Sequence, residues 1–81
     1  METGYILFSL KPGEKKGFIK EIRKIKAVKE ARLVIGLWDA VVKIETKNIE
    51  ELEKIYFDKI DKITSITNSR LHIVACPRTR K

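Results

Sequence analysis

Cysteine and histidine occur once each in this 81-residue chain, and that scarcity excludes more kinds of function than any residue present includes. A lone Cys76 forms no intrachain disulfide, and no second Cys or His stands at metal-ligand spacing from it or from His72. The chain reads as intracellular, folded without a disulfide or metal staple. Nucleophilic and acid–base catalysis need an activated group beside a positioned partner, and no such pair is legible. Cys76 reads as a buried or edge thiol, and His72, between Leu71 and Ile73, as a packing or surface residue of a strand. An enzyme is the least supported class. Long apolar runs are missing too: none approaches the ~20 residues of a membrane span. Met1-Glu2-Thr3-Gly4 lacks the basic-then-apolar order of a signal peptide, so a cytoplasmic protein without membrane contact is expected. No repeat, linker or low-complexity tract divides the sequence, and residues 1–81 are expected to form a single domain. A chain this short buries a limited fraction of its surface, and unstapled domains of this size gain stability by association.

Charge, by contrast, is plentiful. Eighteen Lys and Arg against eleven Asp and Glu give a formal net charge of +7, which permits attraction to nucleic acid or to acidic surfaces. The distribution weakens that reading. Basic residues are interleaved with glutamates in Lys20-Glu21-Ile22-Arg23-Lys24 and Glu50-Glu51-Leu52-Glu53-Lys54, as on solvated helix faces. Only the tail Pro77-Arg78-Thr79-Arg80-Lys81 is purely basic. A basic, non-specific nucleic-acid-binding or scaffold protein is therefore the alternative reading, carried by charge rather than by a pocket.

Hydrophobic periodicity orders the elements. Tyr5–Leu10 is short, aromatic and β-branched, and Lys11-Pro12-Gly13 ends it as a turn, predicting a first strand. From Glu14 to Lys26, Phe18, Ile19, Ile22 and Ile25 recur at helical spacing among charges. Val28–Ile35 alternates as a second strand, with Ala31, Leu33 and Ile35 on one side and Glu30, Arg32 and Val34 on the other. Ala40–Ile44 forms a third. Asn48 is a good N-cap, with Glu51 three residues on as in a capping box, and opens a second helix whose buried stripe is Ile49, Leu52, Ile55, Tyr56 and Ile60. Ile63 closes it. Ser65–Cys76 reads as a fourth strand stopped by Pro77. The order β-α-β-β-α-β predicts an α+β, ferredoxin-like fold, a four-stranded antiparallel sheet with two helices on one face. Both sides of the strands carry apolar residues, so the uncovered face is expected to meet a second copy. Tyr5, Leu7, Trp38 and Val42 are its candidate contacts.

Between strands two and three stands Gly36-Leu37-Trp38-Asp39. Glycine suits the positive φ of a tight connection, yet a bulky Leu-Trp pair at a turn leaves apolar surface in water unless a partner covers it. Asp39 caps local backbone amides in the simplest reading, and Trp38 is a packing or interface anchor. Ser65, Thr67, Asn68 and Ser69 form a hydroxyl- and amide-rich run that suits either a small polar ligand or a solvated edge strand. Lys11-Pro12-Gly13-Glu14-Lys15-Lys16-Gly17 lacks the Gly-Lys-Ser/Thr ending of a phosphate loop. The aromatics with which an RNA-binding sheet stacks bases are absent from Ala40-Val41-Val42-Lys43-Ile44.

Taken together, these segments resemble the effector-binding module of the Lrp/AsnC transcriptional regulators, the RAM domain. The likeness runs through Ile6–Gly13, Ile25–Ala31, Gly36–Asp39 with its Gly-x-x-Asp pattern leading into Ala40–Ile44, Asn48–Leu52 and Ile60–Ser65. The resemblance implies an open sheet face used for dimerisation, dimers assembling into octamers, and an amino acid held between dimers near the Gly-x-x-Asp loop. It implies that Gly36, Leu37, Trp38, Asp39, Ser65 and Thr67 are ligand-binding residues, with amides at the glycine turn receiving a carboxylate, Asp39 an ammonium, and Ser65 or Thr67 completing the polar set. On that basis Asp39→Ala weakens ligand binding and leaves the domain folded. The first strand begins near Met1, so a stand-alone form without a helix-turn-helix is expected, with no sequence-specific DNA reading of its own and a full-length Lrp/AsnC regulator as a further partner. No cofactor or metal is implied.

Overall fold

A computed structural model describes residues 1–74; Cys76 and the basic tail from Pro77 lie outside the described residues. The elements run β1 (Glu2–Leu10), α1 (Lys15–Arg23), β2 (Val28–Leu33), β3 (Ala40–Thr46), α2 (Ile49–Ile55), a π-helical turn (Tyr56–Ile60) and β4 (Ile66–Ile73). They build one antiparallel sheet in the order β2-β3-β1-β4, the expected α+β ferredoxin-like arrangement.

Strand period decides which residues face the helices. On β1, Ile6 and Phe8 are fully buried while Tyr5 and Leu7 turn to the other side. Ala40, Val42 and Ile44 follow the buried phase on β3, as does Ala31 on β2. A bulge between Val28 and Glu30 keeps Val28 in the same layer, because one extra residue resets the alternation. Phe18 and Ile22 of α1 are fully buried, and the Phe18 ring tilts onto Phe8 at a centroid separation of 4.9 Å. The helix stops at Arg23 rather than Lys26. Its last turn tightens, Lys24 N–H donating to Glu21 O and Ile25 N–H to Ile22 O, both at 3.2 Å, and such i→i+3 bonds close helix ends.

Helix α2 begins as its sequence predicts. Asn48 Oδ1 accepts from Glu51 N–H at 2.8 Å, and Glu51 Oε1 accepts from Lys47 N–H at 3.0 Å, a capping box shifted back by one amide. Leu52 and Ile60 are buried, Ile55, Tyr56 and Ile63 pack partly against the core, and Ile49 is exposed. Leu52 reaches β1 because residue 4 is glycine: a Cβ there would lie 3.1 Å from Leu52 Cδ1. Past Ile55 the helix widens into the π turn, with Asp61 N–H donating to Tyr56 O at 2.9 Å, and Tyr56 Oη meets Ser69 Oγ at 2.6 Å. Strand β4 starts at Ile66 and leaves Ser65 in the preceding turn. No helix among the described residues is long and apolar enough to cross a membrane.

Candidate functional site

Strand β2 ends at Leu33, and Val34 N–H donates to Asp39 O at 2.9 Å, so Ile35–Trp38 bulge out as the loop between β2 and β3. Gly36 adopts φ 146°, a region open to glycine and strained for a side chain. The apolar tip consists of Ile35, which is fully solvent-exposed, and Leu37, 90% exposed, with Leu33 half out at its base. Trp38 is half-buried rather than displayed. Ile35 was assigned to the alternation of strand two, and the early end of that strand turns it into loop surface.

Asp39 holds this loop to the body of the sheet. Its N–H donates to Phe8 O at 2.8 Å, and its Oδ2 accepts from Leu10 N–H at 2.8 Å. Lys15 Nζ lies 3.9 Å from Oδ1. The carboxylate therefore caps a backbone amide 29 residues away instead of the local turn, and an incoming ammonium would share Oδ1 with Lys15. On the neighbouring residue, Lys11 N–H donates to Ser65 O at 2.9 Å. Asp39 and Ser65 thus converge on the C-terminal end of β1, while Gly36 and Leu37 stand out at the loop tip. Thr67 is an exposed residue of β4, past the buried Ser65, and joins neither group directly.

The helix-free face of the sheet supplies the second candidate surface. Pairing places Arg32, Val41, Leu7 and Arg70 in one row and Glu30, Lys43, Tyr5 and His72 in the next. Tyr5, Leu7 and Val41 form an apolar strip on the two central strands beside Lys43, which pairs with Glu45 at 3.6 Å, and charged or polar groups stand on the outer strands. That is the anatomy of a protein interface, an apolar centre with a polar rim. Tyr5 is 39% exposed. Val42 does not belong to this set: it is fully buried under the helices, because residues 41 and 42 necessarily face opposite ways. Val41 takes its place. Among the described residues, no group of His, Cys, Asp and Glu is arranged to hold a metal.

Comparison with known proteins places the fold in a family. A family model described as the Lrp/AsnC ligand binding domain matches residues 3–77. An HTH-type transcriptional regulator of Pyrococcus horikoshii is 31% identical over 67 residues, 79% of this chain and 45% of the regulator. A proline dehydrogenase transcriptional activator of Rhizobium radiobacter is 30% identical over 57 residues, 70% of this chain and 36% of that protein. The chain thus spans less than half the length of these curated relatives. The solved structure of FFRP-DM1 superposes with a TM-score of 0.89 at 29% identity, covering 93% of this chain and all of the other. A transcriptional regulator of Neisseria meningitidis, solved in complex with L-Met, shares the fold with a TM-score of 0.85 at 12% identity, over 98% of this chain and 53% of that one.

Proposed function

The chain belongs to the Lrp/AsnC ligand-binding domain family, and from that premise we propose that it is an amino-acid-effector-binding and oligomerisation module, regulating transcription indirectly through ligand-dependent assembly with itself or with a full-length regulator. The observation that carries this reading is the uncovered sheet face, with Tyr5, Leu7 and Val41 at its centre. A stable dimer buries about 800 Å² per partner, an area comparable to one small sheet face, and the exposed Ile35 and Leu37 offer a second contact between dimers. The loop Gly36–Asp39 and the neighbouring Ser65 supply the polar groups for a small ligand beside that contact, with Thr67 at its margin. The L-Met complex of the Neisseria regulator supports an amino acid as the ligand class. In a mixed assembly this subunit changes the number and spacing of DNA-reading domains that the particle presents, which alters its avidity for operator DNA. Cytoplasmic residence accords with such a role.

The test is co-assembly. The chain is mixed with a purified full-length family regulator, with and without each amino acid, and the particles are separated by mass. A mixed particle whose population responds to one amino acid supports the proposal. Exclusive self-association that no amino acid alters overturns it. Non-specific nucleic-acid binding, the charge-based alternative, would reveal itself by an affinity that falls steeply with rising salt.

A further inference from the structure

A cleft of about 450 Å³ opens on the helix side of the sheet, between α1 and the turn that leads into β4. Its walls carry opposite charges: Glu14 at the N-cap of α1 and Glu21 within the helix face Lys59 of the π turn and Lys62 just past it. Among the described residues no ion pair closes the gap. Glu21 pairs along its own helix with Lys24 at 3.7 Å instead. Ser65 lines the cleft and is 6% exposed, yet among the described residues its hydroxyl has no hydrogen-bond partner. Among the described residues the other buried polar side chain, Thr46, donates to Asn48 O at 2.7 Å, so the unmet hydroxyl is particular to this place among them. A buried polar group normally has a partner. Gly17 lies between Glu14 and Glu21 on the α1 wall, where glycine weakens a helix, and a Cβ there would meet nothing within 4 Å. Packing within the chain therefore gives no reason for a glycine.

From these groups we propose that the cleft binds a small zwitterion, its carboxylate held by Lys59, Lys62 and the Ser65 hydroxyl and its ammonium by Glu14 and Glu21, with Gly17 leaving room for close approach. The site rests on the ligand class proposed above and shares Ser65 with the loop site, but its charged groups, Glu14, Glu21, Lys59 and Lys62, are not those of the Gly36–Asp39 loop. Free amino acids and dipeptides both carry the two charges, and one experiment separates them.

The full chain, labelled with nitrogen-15, is titrated with each amino acid and with glycine-based dipeptides while its amide signals are followed. Saturable shifts at Gly17 and Lys62 are expected with one probe class, with binding weakened at least tenfold in Gly17→Leu and in Lys62→Glu. Thermal melting of Gly17→Leu serves as the check on folding. Leucine is a strong helix former at an open position, so its melting temperature is expected to stay level or rise. Saturable shifts confined to Gly36–Asp39 overturn the cleft and leave the loop reading standing. No shift with any probe overturns the cleft as well, while the assembly reading still answers to the co-assembly measurement. Binding undiminished in Gly17→Leu removes the close-approach role and with it the proposal.

Discussion

Replacing Asp39 by alanine separates what this residue does for the fold from what it offers a ligand. Its Oδ2 accepts the Leu10 amide at 2.8 Å, and Leu10 is 7% exposed, so water reaches that N–H poorly once the carboxylate is gone. A buried donor left without a partner costs about 1–3 kcal/mol. The Lys15 contact adds little: at 3.9 Å, with side chains 52% and 32% exposed, such a pair contributes on the order of 0–1 kcal/mol. The loss is therefore dominated by the amide. At ~4–8 °C per kcal/mol for a small domain, Asp39→Ala is expected to melt roughly 5–20 °C below the parent. Asp39→Asn keeps an oxygen at the same place and is expected to melt near the parent, while losing the charge that an ammonium would meet. Thermal melting of the three proteins by circular dichroism, followed by calorimetric titration of the asparagine variant, is the assay. Equal melting temperatures for the alanine variant and the parent would refute the structural role, and unchanged ligand affinity in the asparagine variant would remove Asp39 from the site. The expectation from sequence that Asp39→Ala leaves the domain folded is joined by a measurable loss of stability, because the residue is tied to β1 and not only to its own turn.

Three further outcomes follow from the packing. Gly4→Ala places a methyl 3.1 Å from Leu52 Cδ1 and 3.3 Å from Ile44 Cγ2, and overpacking of that kind costs about 1–3 kcal/mol, read as a lower urea midpoint with unchanged slope. Asn48→Ala removes the acceptor for Glu51 N–H and is expected to cost roughly 0.5–2 kcal/mol, again by urea titration. Leu7→Glu sets a carboxylate at the apolar centre of the open face, between Val41 and Arg70 in the strand register. It is expected to reduce the particle mass in light scattering while leaving the far-ultraviolet spectrum intact.

The sequence made the element order legible because each element is locally consistent: period two in β1 and β3, the Phe18 and Ile22 stripe in α1, and the Asn48 cap of α2. The choice of covered face was not legible, since β1 carries apolar residues in both phases, Ile6 and Phe8 against Tyr5 and Leu7. Only the pairing of strands fixed it, and Val42 moved from the expected interface into the core. Had the buried phase of β3 been taken as Ala40, Val42 and Ile44, the same alternation would have nominated Val41 for the open face. The reach of Asp39 to Leu10 has no local signature, because it depends on two chain segments meeting across the sheet. The same holds for Lys15 beside Asp39 and for the π turn at Tyr56–Ile60. Gly36, in contrast, declared its positive φ through residue type alone.

The most direct measurement is the mass of the particle in solution, by multi-angle light scattering at low and high salt, across a panel of amino acids. The account predicts a dimer or a larger even-numbered assembly that survives high salt, as burial of Tyr5, Leu7 and Val41 requires, and a population that shifts with one amino acid. A monomer at every salt concentration, indifferent to every amino acid, would contradict it.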